Sequence, residues 1–234
     1  MLKKSFIVVF AVLFLDQALK IWIKTHMTLG QEFHISGDWF IIHFTENNGM
    51  AFGLQFAGGY GKLALSLFRI IAVGFLGWYI FKLSKKNTSF GVIFAFSLIL
   101  AGALGNIIDS ALYGVLFSES TYFDIARFLP VEGGYNTLLH GKVVDMLYFP
   151  LLEGTYPQWV PFWGGDSYIF FRPVFNMADS AITSGVLFLL IFQRQFFQTH
   201  HESSSKTKHN VHVIEPSEKT ESIEPVEELD NPTA

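Results

Sequence analysis

The chain has 234 residues, of which 50% are hydrophobic, 17% aromatic and only 15% charged, with 26 Phe and no Cys. Charged residues make up about a quarter of an ordinary soluble domain, so this composition belongs to a membrane protein. The missing cysteine excludes a disulfide framework, a thiolate metal site and a cysteine nucleophile. The formal charge of −4 is unevenly placed: from Glu202 to Ala234 eight acids face three lysines, which leaves 13 basic and 12 acidic residues in 1–201. That nearly neutral body offers no basic face for nucleic acid.

In chain order, residues 5–23, 63–83, 90–112 and 174–192 each supply the roughly 20 mostly apolar residues that cross a hydrocarbon core. The first run follows Lys3 and Lys4 as a signal peptide would. It continues through Asp16 and Lys20 to Trp22 with no small-residue cleavage site after it, so it reads as a retained span. Lys3, Lys4, the turn with Lys82, Lys85 and Lys86, and Arg194 fall on one side only if both termini are cytoplasmic. The expected fold class is therefore an all-α polytopic membrane protein with four transmembrane helices in residues 1–197 and outer segments at about 25–62 and 113–173.

In the first outer segment, aromatic and β-branched residues on both sides of Ser36-Gly37-Asp38 predict a short hairpin, and Asn48-Gly49 a second turn. In the second, the stretch 151–172 holds seven aromatics, among them Trp159 and Trp163, and is expected to lie in the headgroup layer. Residues 198–234 form an acidic, Ser- and Pro-containing tail expected to be disordered on the cytoplasmic side. Its four histidines read as solvated rather than metal-binding.

An Asp or Lys near the bilayer centre costs roughly 2.5–3.5 kcal/mol on insertion scales, so such residues mark function or a structural pair. At about 1.5 Å rise per residue, Asp16, Lys20 and Asp109 lie roughly 17, 23 and 29 Å from the cytoplasmic face, and Asp179 about 8 Å below the outer one. All four converge in the outer half. Asp16 and Lys20 are an i,i+4 pair able to neutralise each other. Gly102, Asn106 and Asp109 share a face of span three, where Gly105 permits close helix approach. Asn176, Asp179 and Thr183 form a similar stripe on span four. On this reading Asp109 and Asp179 have no cation of their own, Arg69 being the other candidate partner. Asp145, inside the apolar run Gly141–Phe149, is expected to be part-buried at the membrane edge.

Two carboxylates brought together at low dielectric share a proton, and such a dyad can activate water while protonating a carbonyl oxygen or leaving amine. An aspartic membrane protease follows, with any two of Asp16, Asp109, Asp145 and Asp179 as the pair. The alternatives are a proton-coupled transporter, which would spread its acids over the full membrane depth, and a non-catalytic scaffold whose acids pair with Lys20 and Arg69.

Five segments in order now resemble one family: Asp16-Gln-Ala-Leu-Lys20, Asn47-Asn-Gly-Met-Ala-Phe52, Gly102-Ala-Leu-Gly-Asn106-Ile-Ile-Asp109, Gly141-Lys-Val-Val-Asp145 and Phe175-Asn-Met-Ala-Asp179. Across about residues 10–192 the chain resembles the bacterial lipoprotein signal peptidases, the type II signal peptidases. The resemblance implies a four-span enzyme of the inner membrane with a small extracytoplasmic β-cradle and an active site near the outer leaflet. It implies Asp145 and Asp179 as the catalytic dyad, with Asp16, Lys20, Asn47, Gly49, Asn106, Asp109 and Asn176 supporting the site or contacting substrate. It also implies a diacylglyceryl-modified prolipoprotein as substrate, cut on the amino side of its cysteine, with no cofactor or metal. Membrane lipid is expected as a further partner, and nothing in the spans demands more than a monomer.

The chain departs from that pattern twice. Ser110 stands where the family usually has Arg, whose role would then fall to Arg127, Arg69 or Arg172. Asp109 and Asp145 are 36 positions apart, and Asp145 and Asp179 are 34 apart, so both gaps hold insertions, of which 151–172 is expected to lie over the site and gate lipid access.

Overall fold

A computed structural model describes residues 1–48, 58–86, 88–170 and 173–192. Gly49 and its turn, Arg172 and the tail 198–234 lie outside the described residues.

Helix α1 spans Leu2–His26, and its sides are inverted relative to a soluble helix. Phe6, Ile7, Phe10 and Phe14 are exposed, while Ser5, Asp16, Lys20 and Lys24 are buried. An apolar exterior around a polar interior is what a hydrocarbon solvent selects. Helix α2 spans Gly58–Ser84 and α3 spans Phe90–Ile108. Among the described residues, three helices are long and apolar enough to cross a membrane, and a shorter apolar helix occupies Met177–Phe192. Together they make this a multi-pass membrane protein.

The last turns of α3 are unusual. A π turn, Asp109–Tyr113, follows Ile108 and runs into a final turn at Gly114–Leu116. The returning loop covers this end: the Gly141 N–H donates to the Ser110 carbonyl at 2.8 Å, Leu139 to Ala111 at 3.2 Å and Asn136 to Gly114 at 2.8 Å. These bonds satisfy backbone groups that a helix end leaves open.

The expected hairpin is present. Strands β1 (Glu32–Ser36) and β2 (Phe40–Asn47) pair antiparallel. The turn between them includes Gly37 at φ 52°, a conformation that glycine adopts without strain. Strand β3 (Val143–Tyr148) adds to β2; β4 (Leu152–Thr155) and β5 (Ser167–Phe170) form a separate hairpin; β6 (Val174–Phe175) closes the first sheet in the order β1-β2-β3-β6. The 151–172 stretch thus contains a β-hairpin.

The expected start of the fourth span at 174 is too early. Val174 and Phe175 pair with Tyr148 and Leu147, and the helix begins after them at Met177. Apolarity alone does not separate a buried strand from the first turn of a span.

Side chains alternate across the sheet. Phe44, Val144 and Met146 pack with Ile23 and Met27 of α1 and with Tyr113 and Phe117 in one buried core. Thr45 and Asp145, paired across β2 and β3, stand on the other face. The helices approach closely through glycine, as expected for Gly105: a Cβ there would lie 2.5 Å from Asp16 Oδ2 and 3.2 Å from the Ala178 Cβ. At Gly102 it would collide with the Ala178 backbone.

Candidate active site

The site begins with one ammonium group. A lysine has three N–H donors and no acceptor. Lys20 Nζ, fully buried, meets Asp16 Oδ2 at 2.9 Å, Asp109 Oδ2 at 2.8 Å and Asn106 Oδ1 at 3.1 Å. The expectation that Asp109 lacks a cation is therefore corrected, because Lys20 serves both acids at once. Helical spacing reveals the Asp16–Lys20 pair, whereas the contact from α1 to α3 depends on the glycine-lined approach.

The same ammonium orients the amides around it. Because Lys20 can only donate, its partner on Asn106 is the oxygen, which leaves the Asn106 amide nitrogen to donate to Asp179 Oδ1 at 2.8 Å. Asn176 Nδ2 donates to Asp145 Oδ1 at 2.7 Å and to Asn106 Oδ1 at 3.3 Å. Asp145 and Asp179 are thereby linked through two amides, while Asp16 and Asp109 are held by one lysine.

Asn176 also starts the last helix. Its Oδ1 accepts the Asp179 N–H at 2.9 Å, and Asp16 Oδ1 accepts the Ala178 N–H at 2.9 Å. Two open N–H groups of the helix terminus are thus satisfied by site residues. Asp179 lies in this first turn, where the helix dipole favours negative charge.

Asp145 enters from β3. It is buried more deeply than the part-burial expected for its apolar run, and Asn47 at the end of β2 also hydrogen-bonds to it. Burial above all, and then the Asp179 charge, push its pKa up to about 7 against the hydrogen bonds of Asn176 and Asn47 and the charge of Lys20. A carboxyl in that range holds its proton near neutrality.

Gln17 was not anticipated as a site residue. Gln17 Nε2 donates to Asp109 Oδ1 at 2.9 Å and Asp16 Oδ2 at 3.1 Å, and its Oε1 accepts from the buried Tyr113 hydroxyl at 3.1 Å. Gln17 sits inside the first motif, but helical spacing from Asp16 does not single it out. Ser110 turns inward and donates to the Asn106 carbonyl at 2.9 Å. Of the cations considered for the missing arginine, Arg69 lies in the field of Asp179 and Asp109. Arg127 instead lines a surface cavity of about 510 Å³ with Glu119, Asp124 and Glu132.

Comparison with known proteins bears on this arrangement. The family model for signal peptidase (SPase) II matches residues 8–195. A lipoprotein signal peptidase of Porphyromonas gingivalis is 53% identical over 180 residues, 76% of this chain and 77% of that protein. One of Amoebophilus asiaticus is 39% identical over 187 residues, 79% of this chain and 75% of its own. A bacterial membrane enzyme solved by the in meso method superposes with a TM-score of 0.54 at 26% identity, over 82% of this chain and 92% of that one. These matches give no support to a proton-coupled transporter. The chain belongs to the signal peptidase II family.

Proposed function

We propose that Asp145 and Asp179 are the catalytic pair with which this membrane peptidase removes signal peptides from prolipoproteins. The observation that carries the pairing is the amide relay from Asn176 on Asp145 to Asn106 on Asp179. The other two acids are already compensated by Lys20.

One carboxylate of the pair takes a proton from water as the water oxygen attacks the scissile carbonyl carbon. The other carboxyl gives its proton to the carbonyl oxygen, forming a tetrahedral diol. Collapse of the diol returns that proton and breaks the C–N bond, with the amine leaving protonated. With its pKa near 7, Asp145 is the proton-bearing member, and turnover declines as pH rises through that value.

The substrate is a prolipoprotein with a diacylglyceryl-modified cysteine, cut on the amino side of that cysteine. The enzyme is a monomer with four spans in the inner membrane, both termini cytoplasmic and the pair near the outer leaflet, where a lipidated substrate presents its scissile bond.

The test is cleavage of a diacylglyceryl prolipoprotein by purified protein. Asp145→Asn and Asp179→Asn are each expected to lower turnover by at least about 100-fold while remaining folded. Full turnover by either variant removes that residue from the pair.

A further inference from the structure

Behind the sheet, on the face away from Asp145, lies a second buried charge group that the reaction does not use. Lys24, one helical turn beyond Lys20, forms an ion pair with Glu46 of β2, with side-chain exposures of 0% and 2%. Ser120 bridges them: its Oγ accepts from Lys24 Nζ at 2.8 Å and donates to Glu46 Oε1 at 2.9 Å. The ammonium also lies 5.0 Å from the Tyr135 ring centroid and 5.5 Å from that of Phe117. Lys142 Nζ stands 3.4 Å from Glu46 Oε2 and 3.3 Å from the exposed Glu119.

The neighbours of Glu46 along β2 give this cluster a bearing on the site. Asn47 points to the opposite face by strand alternation, and its side chain bonds to Asp145. Asn48 Oδ1 accepts from Lys62 Nζ at 3.1 Å, and that ammonium also donates to the His140 carbonyl at 2.8 Å. Three consecutive residues therefore tie the end of β2 to α1, β3 and α2 in turn. Glu46 supplies the one link of the three with opposite charges at its two ends, both of them buried. Such a pair adds little net stability over apolar packing, but its partners cannot be exchanged or slid.

We infer that Glu46 is a positioning residue: its ion pair with Lys24, flanked by Lys142, fixes the end of β2 so that Asn47 keeps its hydrogen bond to Asp145. The inference rests on Asp145 belonging to the catalytic pair. It makes the insertion that contributes Ser120 and Tyr135 part of the apparatus that aims a catalytic carboxylate.

The experiment measures kcat, KM and the pH profile for cleavage of a diacylglyceryl prolipoprotein by full-length Glu46→Gln, Asn47→Ala, the double variant and Glu119→Gln. The paired variant Lys24→Met/Glu46→Gln is included because it leaves no orphaned lysine and keeps the fold. Glu46→Gln is expected to lower kcat about 10- to 100-fold with little change in KM. Loss of the Asn47 bond, with Asp179, Asn176 and Lys20 still facing Asp145, moves the alkaline limb to higher pH. Glu46→Gln adds nothing in the Asn47→Ala background, the paired variant keeps the kcat deficit, and Glu119→Gln behaves as wild type. The inference is overturned by a wild-type kcat and profile for Glu46→Gln, by losses that multiply in the double variant, or by recovery of kcat in the paired variant. Full turnover by Asp145→Asn overturns the catalytic pair itself, a result that no Glu46 variant produces.

Discussion

Lys20 illustrates how much one side chain organises at the residue scale. Its three donors meet three acceptors, and removing it leaves Asp16 and Asp109 buried together without a cation. Lys20→Met is expected to destabilise the protein by about 3–5 kcal/mol, read as a lowered unfolding midpoint in detergent. An unchanged midpoint contradicts this account. Asn176→Ala makes a different prediction. Asp145 already titrates well above the usual carboxylate range, and Asn176 donates to its ionised form. Losing that donor raises the pKa further, so the alkaline limb of the rate profile moves to higher pH, alongside about 1 kcal/mol lost with the helix cap. A limb that stays put, or moves down, refutes that reading of the environment of Asp145. Most of these residues were legible in the sequence because membrane burial makes a charge conspicuous. Their partners were less so: Lys20 on Asp109 and Lys24 on Glu46 join residues of different elements, and sequence spacing reports only neighbours on one helix.

Elements position these side chains through close approach rather than through large interfaces. Gly105→Ala places a methyl 2.5 Å from Asp16 Oδ2, so the Asp16 carboxylate must shift from its place on Lys20. A loss of roughly 1–3 kcal/mol, with reduced cleavage, is expected. Gly77→Ala on α2, where nothing lies within 4 Å of the added carbon, is the comparison and is expected to be neutral or stabilising. Equal effects at both positions would show that packing is not what Gly105 serves. The hairpin was legible from the aromatic and β-branched residues around Ser36-Gly37-Asp38, and a close helix approach from Gly105, though not that α1 is the helix that approaches. The π turn after Ile108 was not legible, since its carbonyls accept from backbone N–H groups that arrive from residues 136–141. The β4–β5 hairpin carries Trp159, Phe162 and Trp163 on its connection, exposed by 81%, 97% and 60%. Replacing the three by Ser is expected to slow cleavage in lipid vesicles more than in detergent, if the connection meets the lipid surface over the site. Equal slowing in both media contradicts that placement.

Over the whole molecule, the chemistry draws on the beginning, middle and end of the described chain. Asp16 belongs to α1, Asn106 to α3, Asp145 to the sheet, and Asp179 to the last helix. The N-terminus of that helix is completed by Asn176 and by Asp16, more than 150 residues earlier in the chain. On the proposed pairing, the ribosome delivers Asp145 to the membrane before Asp179. The second carboxylate, and with it the proposed pair, is then completed only when the last helix docks.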